Sequence, residues 1–461
     1  MRSRKIRRGA VAVLAVASLG LAGCASDDDG DTNEPQSAGG TWPGEGNADC
    51  EGLEQLSEFG DLTGTTVSVY TSILPPEQEA HEASYELFTT CTGAEVDYEG
   101  SDQFETQLVV RLQANNAPDI AYIPQPGLLR TVVESGQVVA APEPTADNVD
   151  EFFGEDWKSY GTVDDTFYAA PLGASVKSFV WYSPAMFEEN GWEIPETWDD
   201  MLALSDEIVD SGMKPWCVGI ESGEATGWVA TDWLEDAMLR TAGAEVYDQW
   251  VNHEIPFNDP AVVEALDLVG GIMKNPDYVN AGFGDVNSIA TTAFQDGGLP
   301  ILEGDCALHR QASFYAAQWP EGTDVSEDGK VFAFYLPTTN DENGRPVLGG
   351  GEFVAAFDNR PEVQAFQTYL STDVWANQKA INTPGGGWVS ANTGLDAANL
   401  TSPIDQLSAE TFQDPEAVFR FDGSDQMPSA VGAGSFWREM TAWVTGDDSE
   451  TALENIENSW P

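Results

Sequence analysis

The sequence predicts an α/β protein built from two lobes, and two observations support this prediction. Short apolar segments typical of strands alternate with segments typical of helices over residues 65–123. This spacing indicates βαβ units and a mostly parallel sheet. The chain also has 461 residues, of which 41% are apolar, and this length exceeds what one hydrophobic core normally organises. A second lobe with its own core is therefore expected.

The first lobe is predicted to alternate strands and helices until a proline closes its third strand. Its predicted elements are a strand over 65–70, a helix over 77–90, a strand over 96–98, a helix over 104–115 and a strand over 119–123. Ligands of parallel sheets bind at the loops that follow the carboxyl ends of strands. In this chain those loops contain Ser72, Asp102 and Gln125.

The second lobe is predicted from two strands and from helices with recognisable starts or stops. Its predicted elements are a strand over 178–182, a helix that begins at 197, helices over 233–242 and 260–273, a strand over 331–337 and a hairpin turn over 342–345. Thr197 and Asp200 have the spacing of a capping box. Asp259 precedes Pro260, which is typical of an N-cap followed by proline at the first helical position.

The N-terminal segment resembles the signal sequence of a bacterial lipoprotein. Five basic residues precede an apolar run over 10–21 that is too short to span a bilayer. Residues 21–24 read Leu-Ala-Gly-Cys, and the thiol of Cys24 can carry diacylglycerol. We expect a signal peptide over 1–23, a lipid-anchored Cys24 on the extracellular face of the cell membrane, and a disordered tether over 24–49. An ordinary cleaved signal, in which Cys24 has no role, is the alternative.

The charge balance is strongly acidic, with 78 Asp and Glu against 19 Lys and Arg and a formal net charge of −59. So few cations cannot form a basic patch for nucleic acid or for an anionic membrane surface. Attachment to a membrane would then have to come from the lipid. Acidic residues spread through the whole sequence indicate a solvated surface, and they leave open a trap for a cationic solute such as a polyamine.

Four cysteines remain besides Cys24, an even number in an oxidising compartment. None of their spacings is that of a metal site, so we predict two disulfides and no bound metal. Three connectivities are possible. We favour Cys50 with Cys91 and Cys217 with Cys306, because each crosslink then stays inside one lobe. A bridge between the lobes would hinder their relative motion.

The sequence gives no positive evidence of catalysis, so we predict a protein that is not an enzyme and has no cofactor. Its three histidines, His81, His253 and His309, lie far apart in the chain. Neither a metal centre nor a histidine-based triad is therefore supported. Phosphate-binding glycine loops and nucleophile elbows are also missing. A glycoside hydrolase stays open as an alternative, since its paired carboxyls could come from any of many acidic residues.

Aromatic residues beside glycines are a distinctive feature of this chain, which has 15 Trp, 12 Tyr and 21 Phe. Trp228 follows one glycine, and Trp388 follows three. An indole offers an apolar face to the C–H face of a sugar, and glycines let the backbone approach closely enough to donate hydrogen bonds. Both tryptophans are candidates for stacking on a sugar, with packing in a core as the alternative interpretation.

Several segments, taken in order along the chain, resemble marker segments of the extracellular solute-binding proteins of family 1, the relatives of maltose-binding protein. They are Ala-Pro-Asp-Ile-Ala at 117–121, Pro-Glu-Thr-Trp at 195–198, and Ala-Phe at 293–294 ahead of Gly304. Two further segments, 221–233 and 306–314, are more narrowly similar to the alpha-glucoside-binding branch of ABC importers.

The resemblance implies a periplasmic-binding-protein type II, or Venus-flytrap, fold with a three-segment hinge. It places the crossings between the lobes near residues 169–176, 337–350 and 371–377. Lobe I then comprises 50–172 and 338–372, and lobe II comprises 173–337 and 373–461.

The resemblance also implies a monomeric, lipid-anchored substrate-binding subunit of a carbohydrate ABC importer. Such a subunit closes on an α-glucoside or other oligosaccharide and delivers it to the permease. The ligand-binding candidates carried over are Ser72, Asp102 and Gln125 from lobe I, Lys177, Trp228, Asp232, Gln311 and Trp388 from lobe II, and Glu352 at the hinge. Ionised Asp102, Asp232 and Glu352 are expected to accept hydrogen bonds from sugar hydroxyls. A secreted glycoside hydrolase and a binding protein for a cationic solute are the alternative functions.

Overall fold

The computed structural model describes residues 41–280, 285–340 and 342–461. The predicted signal peptide, Cys24 and the tether up to residue 40 lie outside the described residues. Residues 41–49, assigned above to the tether, form a turn and the start of the short 3-10 helix Ala48–Cys50. Trp42 packs against the core of the first lobe. A disordered tether would therefore have to end before Trp42.

The first lobe is built on a five-stranded sheet in which the first three strands are parallel and the fourth is antiparallel to both of its neighbours. Their order across the sheet is Glu95–Gly100, Thr66–Thr71, Ile120–Ile123, Phe353–Ala356 and Ala169–Pro171. The helices of this lobe are Glu77–Ala83, Glu86–Thr92, Phe104–Gln113, Pro126–Val133, Glu143–Phe152, Glu155–Tyr160, Pro361–Leu370 and Asp373–Ile381. The single helix predicted over 77–90 is thus two helices, separated at Ser84 and Tyr85.

The second lobe is built on another five-stranded sheet. The strand order is Val279–Asn280, Lys214–Cys217, Cys306–Arg310, Phe179–Tyr182 and Phe332–Tyr335. The helices of this lobe are, in chain order, Pro184–Asn190, Trp198–Asp210, Trp228–Thr241, Ala244–Val251, Pro260–Met273, Phe294–Gly297, Pro403–Gln413, Gly423–Gln426, Trp437–Thr445 and Ser449–Glu457. The capping box at Thr197 and the Asp259 cap are both present. Two sheets with separate cores confirm the predicted α/β fold.

A three-stranded sheet joins the two lobes. Its central strand Arg345–Gly350 pairs in parallel with Ala417–Phe421 and antiparallel with Ser175–Val176. Ser175–Val176 follows the first-lobe strand Ala169–Pro171, and Arg345–Gly350 precedes the first-lobe strand Phe353–Ala356. These strands fall within the first two crossings that the sequence predicted.

The third predicted crossing, near 371–377, differs from the packing. Trp375, Ala376 and Ala380 are buried in the same core as Cys50 and Val67. Residues up to Leu400 belong to this core, whereas Ile404 belongs to the core of the second lobe. The helix Asp373–Ile381 packs its apolar face into the first-lobe core. The chain therefore leaves the first lobe only after Leu400.

Two disulfides lie inside the lobes, one in each. Cys50 and Cys91 have Cα atoms 5.7 Å apart, and the Cα atoms of Cys217 and Cys306 are 5.6 Å apart. This is the pairing favoured from the sequence. None of the helices in the described ranges is long and apolar enough to cross a bilayer.

Candidate ligand-binding cleft

A cavity of about 340 Å³ lies between the two lobes, and loops from both form its walls. This volume falls at the lower end of the range, about 300–1,000 Å³, that small-molecule sites occupy. Seven of the nine predicted ligand-binding residues line it. They are Ser72, Asp102, Gln125, Lys177, Trp228, Glu352 and Trp388.

The first-lobe wall is formed where three parallel strands end. Ser72, Asp102 and Gln125 each follow one of these strands within two residues, so the sheet brings them to a common edge. Gln125 is only 4% exposed, and its Nε2 donates to Glu105 Oε1 at 3.1 Å. Its Oε1 has no partner among the described residues. That oxygen is a buried acceptor free to receive a hydrogen bond from a ligand.

A buried ionic cluster centred on Lys177 forms part of the cavity wall. Its Nζ donates to Asp232 Oδ1 at 3.0 Å, contacts Asp422 and lies 4.0 Å from Asp425 Oδ2. Burial opposes the charge of Lys177, but these carboxylates outweigh that effect and raise its pKa. Burial raises the pKa of Asp232 to about 7, although Lys177 and Arg310 lower it. The positive charge of Lys177 is therefore neutralised by the carboxylates around it.

Two of the predicted ligand-binding residues do not line the cavity. Asp232 is fully buried behind Lys177 and also pairs with Arg310, whose Nη1 lies 3.3 Å from Asp232 Oδ2. Gln311 is fully buried, and its Oε1 accepts a hydrogen bond from the Ala312 backbone at 2.8 Å. Both are buried in the second lobe, and the resemblance from which they were carried over gives a position along the chain but not whether the side chain reaches the cavity surface.

Aromatic rings from both lobes face the cavity. Trp228 packs edge to face on Phe294 with ring centroids 5.2 Å apart, and Phe314 lies 6.0 Å from it. Trp388 is 7% exposed and packs edge to face on Trp375 at 5.6 Å. A Cβ at Gly173 would come 2.9 Å from Trp388 Nε1, so this close approach requires glycine. Trp388 thus serves both a core and the cavity wall, and it comes from the first lobe rather than the second.

The cavity is lined by many more carboxyl groups than cationic ones. Besides Asp102 and Glu352, its acidic lining residues are Glu77, Glu105, Glu221, Asp422 and Asp425. The lysine that lines the cavity is Lys177. Burial raises the pKa of Glu105 and Glu352, and it raises the pKa of Glu77 to about 8. The cavity is therefore rich in carboxyl groups, which accept hydrogen bonds from hydroxyls and, when protonated, also donate one.

Sequence reasoning missed several of these residues. Glu105 lies in the first turn of the helix that follows Asp102. Its closeness to Asp102 along the chain could have indicated that it also reaches the cavity. Asp422 caps the short helix Gly423–Gln426 by accepting from the Asp425 backbone at 2.8 Å. The Asp-Gly-Ser-Asp run of that cap marks a turn, but nothing in it places the turn beside Lys177.

The two lobes touch each other around the cavity. Gln318 Nε2 of the second lobe donates to Glu77 Oε1 of the first at 2.9 Å. On another side, a Cβ at Gly223 would lie 3.0 Å from the carbonyl oxygen of Asp102. All four of these residues line the cavity, so the contacts between the lobes lie at its wall. The structure therefore shows the lobes drawn together.

The chemistry of the lining fits noncovalent binding. Within the described ranges, no group of three or more potential ligands could hold a metal ion. Burial lowers the pKa of His81, which lines the cavity, so its imidazole is neutral. Carboxylates, an amide oxygen and indole faces together suit a ligand that carries both hydroxyl groups and apolar C–H faces.

Comparison with known proteins places this fold and cleft in a family. Residues 74–377 match the bacterial extracellular solute-binding proteins. The chain is 40% identical over 405 residues to the osmoprotective compounds-binding protein GgtB of Synechocystis sp., which covers 87% of this chain and 94% of that protein. It is 37% identical over 423 residues to the alpha-glucosides-binding periplasmic protein AglE of Rhizobium meliloti, which covers 88% of this chain and 90% of that protein.

The same fold is found in the crystal structure of the bacterial solute receptor AcbH, described as preferring β-D-galactopyranose. The likeness has a TM-score of 0.72 at 17% identity and covers 86% of this chain and 98% of that chain. At this identity, the likeness concerns the fold. The matched segment and the two long relatives show that the chain belongs to the bacterial extracellular solute-binding proteins.

Proposed function

We propose that this protein is the substrate-binding subunit of an ABC importer for carbohydrates, with α-glucosides as its main ligands and no catalytic activity of its own. The observation that supports this most is the cleft, where indole faces stand beside carboxylates that accept hydroxyl hydrogen bonds. The name of the Rhizobium relative supports the α-glucoside class. The partner that receives the sugar is the permease of the importer.

Closure of the lobes captures the ligand. A sugar held between the walls contacts both lobes only when they are close, so it shifts the population toward the closed form. The three-stranded sheet between the lobes provides the hinge. The hydrogen bond from Gln318 to Glu77 joins the lobes in that form.

The residues of the cleft have different roles in this proposal. Asp102, Gln125 and Glu352 accept hydrogen bonds from sugar hydroxyls, and Ser72 contributes a hydroxyl of its own. Trp228 and Trp388 stack on the apolar faces of the sugar rings. Lys177 donates to the ligand. Asp232 and Gln311 act from behind the surface, where Asp232 holds Lys177 in position.

We also propose that Cys24 carries a lipid and holds the mature protein at the extracellular face of the cell membrane. The family membership supports an extracellular location. Labelling of cells with a lipid precursor, followed by purification of the protein, tests this proposal. A Cys24→Ala variant that stays labelled would contradict it.

Calorimetry of the purified protein tests the sugar assignment. Titrations with trehalose, maltose, sucrose and palatinose should give saturable heats with at least one sugar. A cationic solute is the second candidate, because carboxyl groups outnumber cations in the cavity lining. Binding of a polyamine in the absence of any sugar binding would favour that candidate and overturn the first.

A further inference from the structure

A second cavity, of about 300 Å³, adjoins the first beside Trp388. The two cavities share four lining residues, Glu77, His81, Gly387 and Trp388. We propose that the second cavity is a further subsite of the cleft, which holds the third ring of an oligosaccharide longer than a disaccharide. This inference rests on the proposed function and extends it to the length of the ligand.

Both lobes contribute to the second cavity, as they do to the first. Pro76 and Lys379 belong to the first lobe, whereas Ala317 comes from the second. Ala317 directly precedes Gln318, which donates to Glu77 at 2.9 Å. Closure of the lobes therefore encloses a ligand in both cavities with the same movement.

The second cavity offers polar atoms that lack a full set of partners. Lys379 is 2% exposed, its Nζ donates to Thr383 Oγ1 at 2.9 Å, and it lies 5.2 Å from the centre of the Trp388 ring. An ammonium group has three N–H donors, so this contact leaves donors for a ligand. His81 is 3% exposed, and its Nδ1 has no hydrogen-bond partner among the described residues.

The charges around Lys379 indicate a neutral ligand. Burial lowers the pKa of Lys379 to about 8, while Glu77, Asp405 and Glu352 raise it. Burial raises the pKa of Glu77 to about 8 and that of Asp405 to about 7, so near neutral pH these carboxyl groups offer both donors and acceptors beside the Lys379 ammonium. Sugar hydroxyls meet both demands, because each can accept from an ammonium and donate to a carboxylate.

Contacts within the protein fix one wall of the second cavity. Asp405 Oδ1 accepts a hydrogen bond from the Gly387 backbone at 2.7 Å and so fixes the glycine loop. Gly386 has φ +82°, and a Cβ there would lie 2.3 Å from Ser402 Oγ. A wall fixed in this way lowers the entropic cost of binding, because a ligand does not have to order the loop.

One glycine of this loop allows the second cavity to be blocked selectively. Gly385 lines the cavity, is exposed, and has no atom within 4 Å of the position that a Cβ would take. A Gly385→Phe variant should therefore fold normally and place a ring across the cavity. Gly154 is also exposed, with open space around its Cβ position, and it lines none of these cavities. Gly154→Phe is the matched control.

The experiment compares a disaccharide that binds with the same sugar extended by one α-glucosyl unit. The wild-type protein should bind the trisaccharide at least as tightly as the disaccharide. Gly385→Phe should weaken trisaccharide binding about tenfold or more and change disaccharide binding less than about twofold, since the lost contacts are those of one ring. Gly154→Phe should change neither affinity.

Three results would overturn the inference while leaving the proposed function intact. They are a wild-type protein that binds the disaccharide but not the trisaccharide, a Gly385→Phe variant that weakens both sugars equally, and one that weakens neither. A wild-type protein that binds no sugar at all would instead overturn the proposed function, and this inference with it.

Discussion

Replacement of Lys177 by methionine should destabilise the folded protein by about 3–5 kcal/mol at neutral pH. Methionine keeps most of the length of the side chain but removes the cation that contacts Asp422, and it leaves Asp232 with Arg310 alone. The Lys177 side chain is 10% exposed, and those of Asp232 and Asp422 are 0% and 1% exposed. Removal of one partner from a buried ion pair typically has this cost, because an uncompensated charge remains in the interior.

Lys158 provides the matched control. It pairs with Asp150, and the side chains are 30% and 59% exposed. Solvent screens such a pair, so Lys158→Met should lower the free energy of unfolding by at most about 1 kcal/mol. Urea unfolding followed by tryptophan fluorescence would measure both variants on the same scale.

The decrease in the free energy of unfolding caused by Lys177→Met should become smaller as the pH falls from 7 to 5. An acid whose folded-state pKa is raised contributes stability that is complete below its unfolded value and is lost as the pH rises through the folded value. For Asp232 these values are 3.8 and about 7. Loss of Lys177 moves this folded value higher, and it also raises the pKa of Asp422, which burial raises but the Lys177 ammonium holds below 3.8; both changes add a penalty that is larger near pH 7 than near pH 5. A loss below about 1 kcal/mol, or one equal at both pH values, would refute this reasoning.

Three further predictions concern the cleft and the disulfides. Trp228→Ala should weaken sugar binding about tenfold or more in calorimetry, with little change in melting temperature. Trp388→Ala should weaken binding as well, and in denaturation experiments it should also lower the free energy of unfolding by about 3 kcal/mol. Gly173→Ala should lower sugar affinity, because it displaces the Trp388 ring; an unchanged affinity would contradict the close approach. Joint replacement of Cys217 and Cys306 by alanine should lower stability by about 2–5 kcal/mol in urea unfolding.

The sequence could predict features that depend on neighbours along the chain or on one sheet. Ser72, Asp102 and Gln125 were correctly brought to one edge, because parallel strands end on the same side. The cap at Thr197 was predicted because a capping box involves residues only three apart. Physical rules of short range were sufficient in these cases.

Features that depend on distant contacts could not be predicted. Lys177 and Asp422 are 245 residues apart, and only the folded chain brings them together. The helix expected over 77–90 breaks near Ser84, whose hydroxyl accepts a hydrogen bond from Trp375 Nε1 at 3.1 Å. Trp375 also shows why the predicted crossing at 371–377 differs from the packing. The apolar face of its helix predicts that the helix is buried, but the sequence does not show in which of the two lobes.

The three-stranded sheet between the lobes restricts how they can move. A single linker would let one lobe swivel in any direction, but strands hydrogen-bonded side by side resist twisting and sliding and bend most easily about one axis. Movement along one path ends in one geometry, whatever lies in the cleft. The outer surface would then present the same shape with different sugars inside, so a permease could recognise a loaded receptor without recognising its cargo.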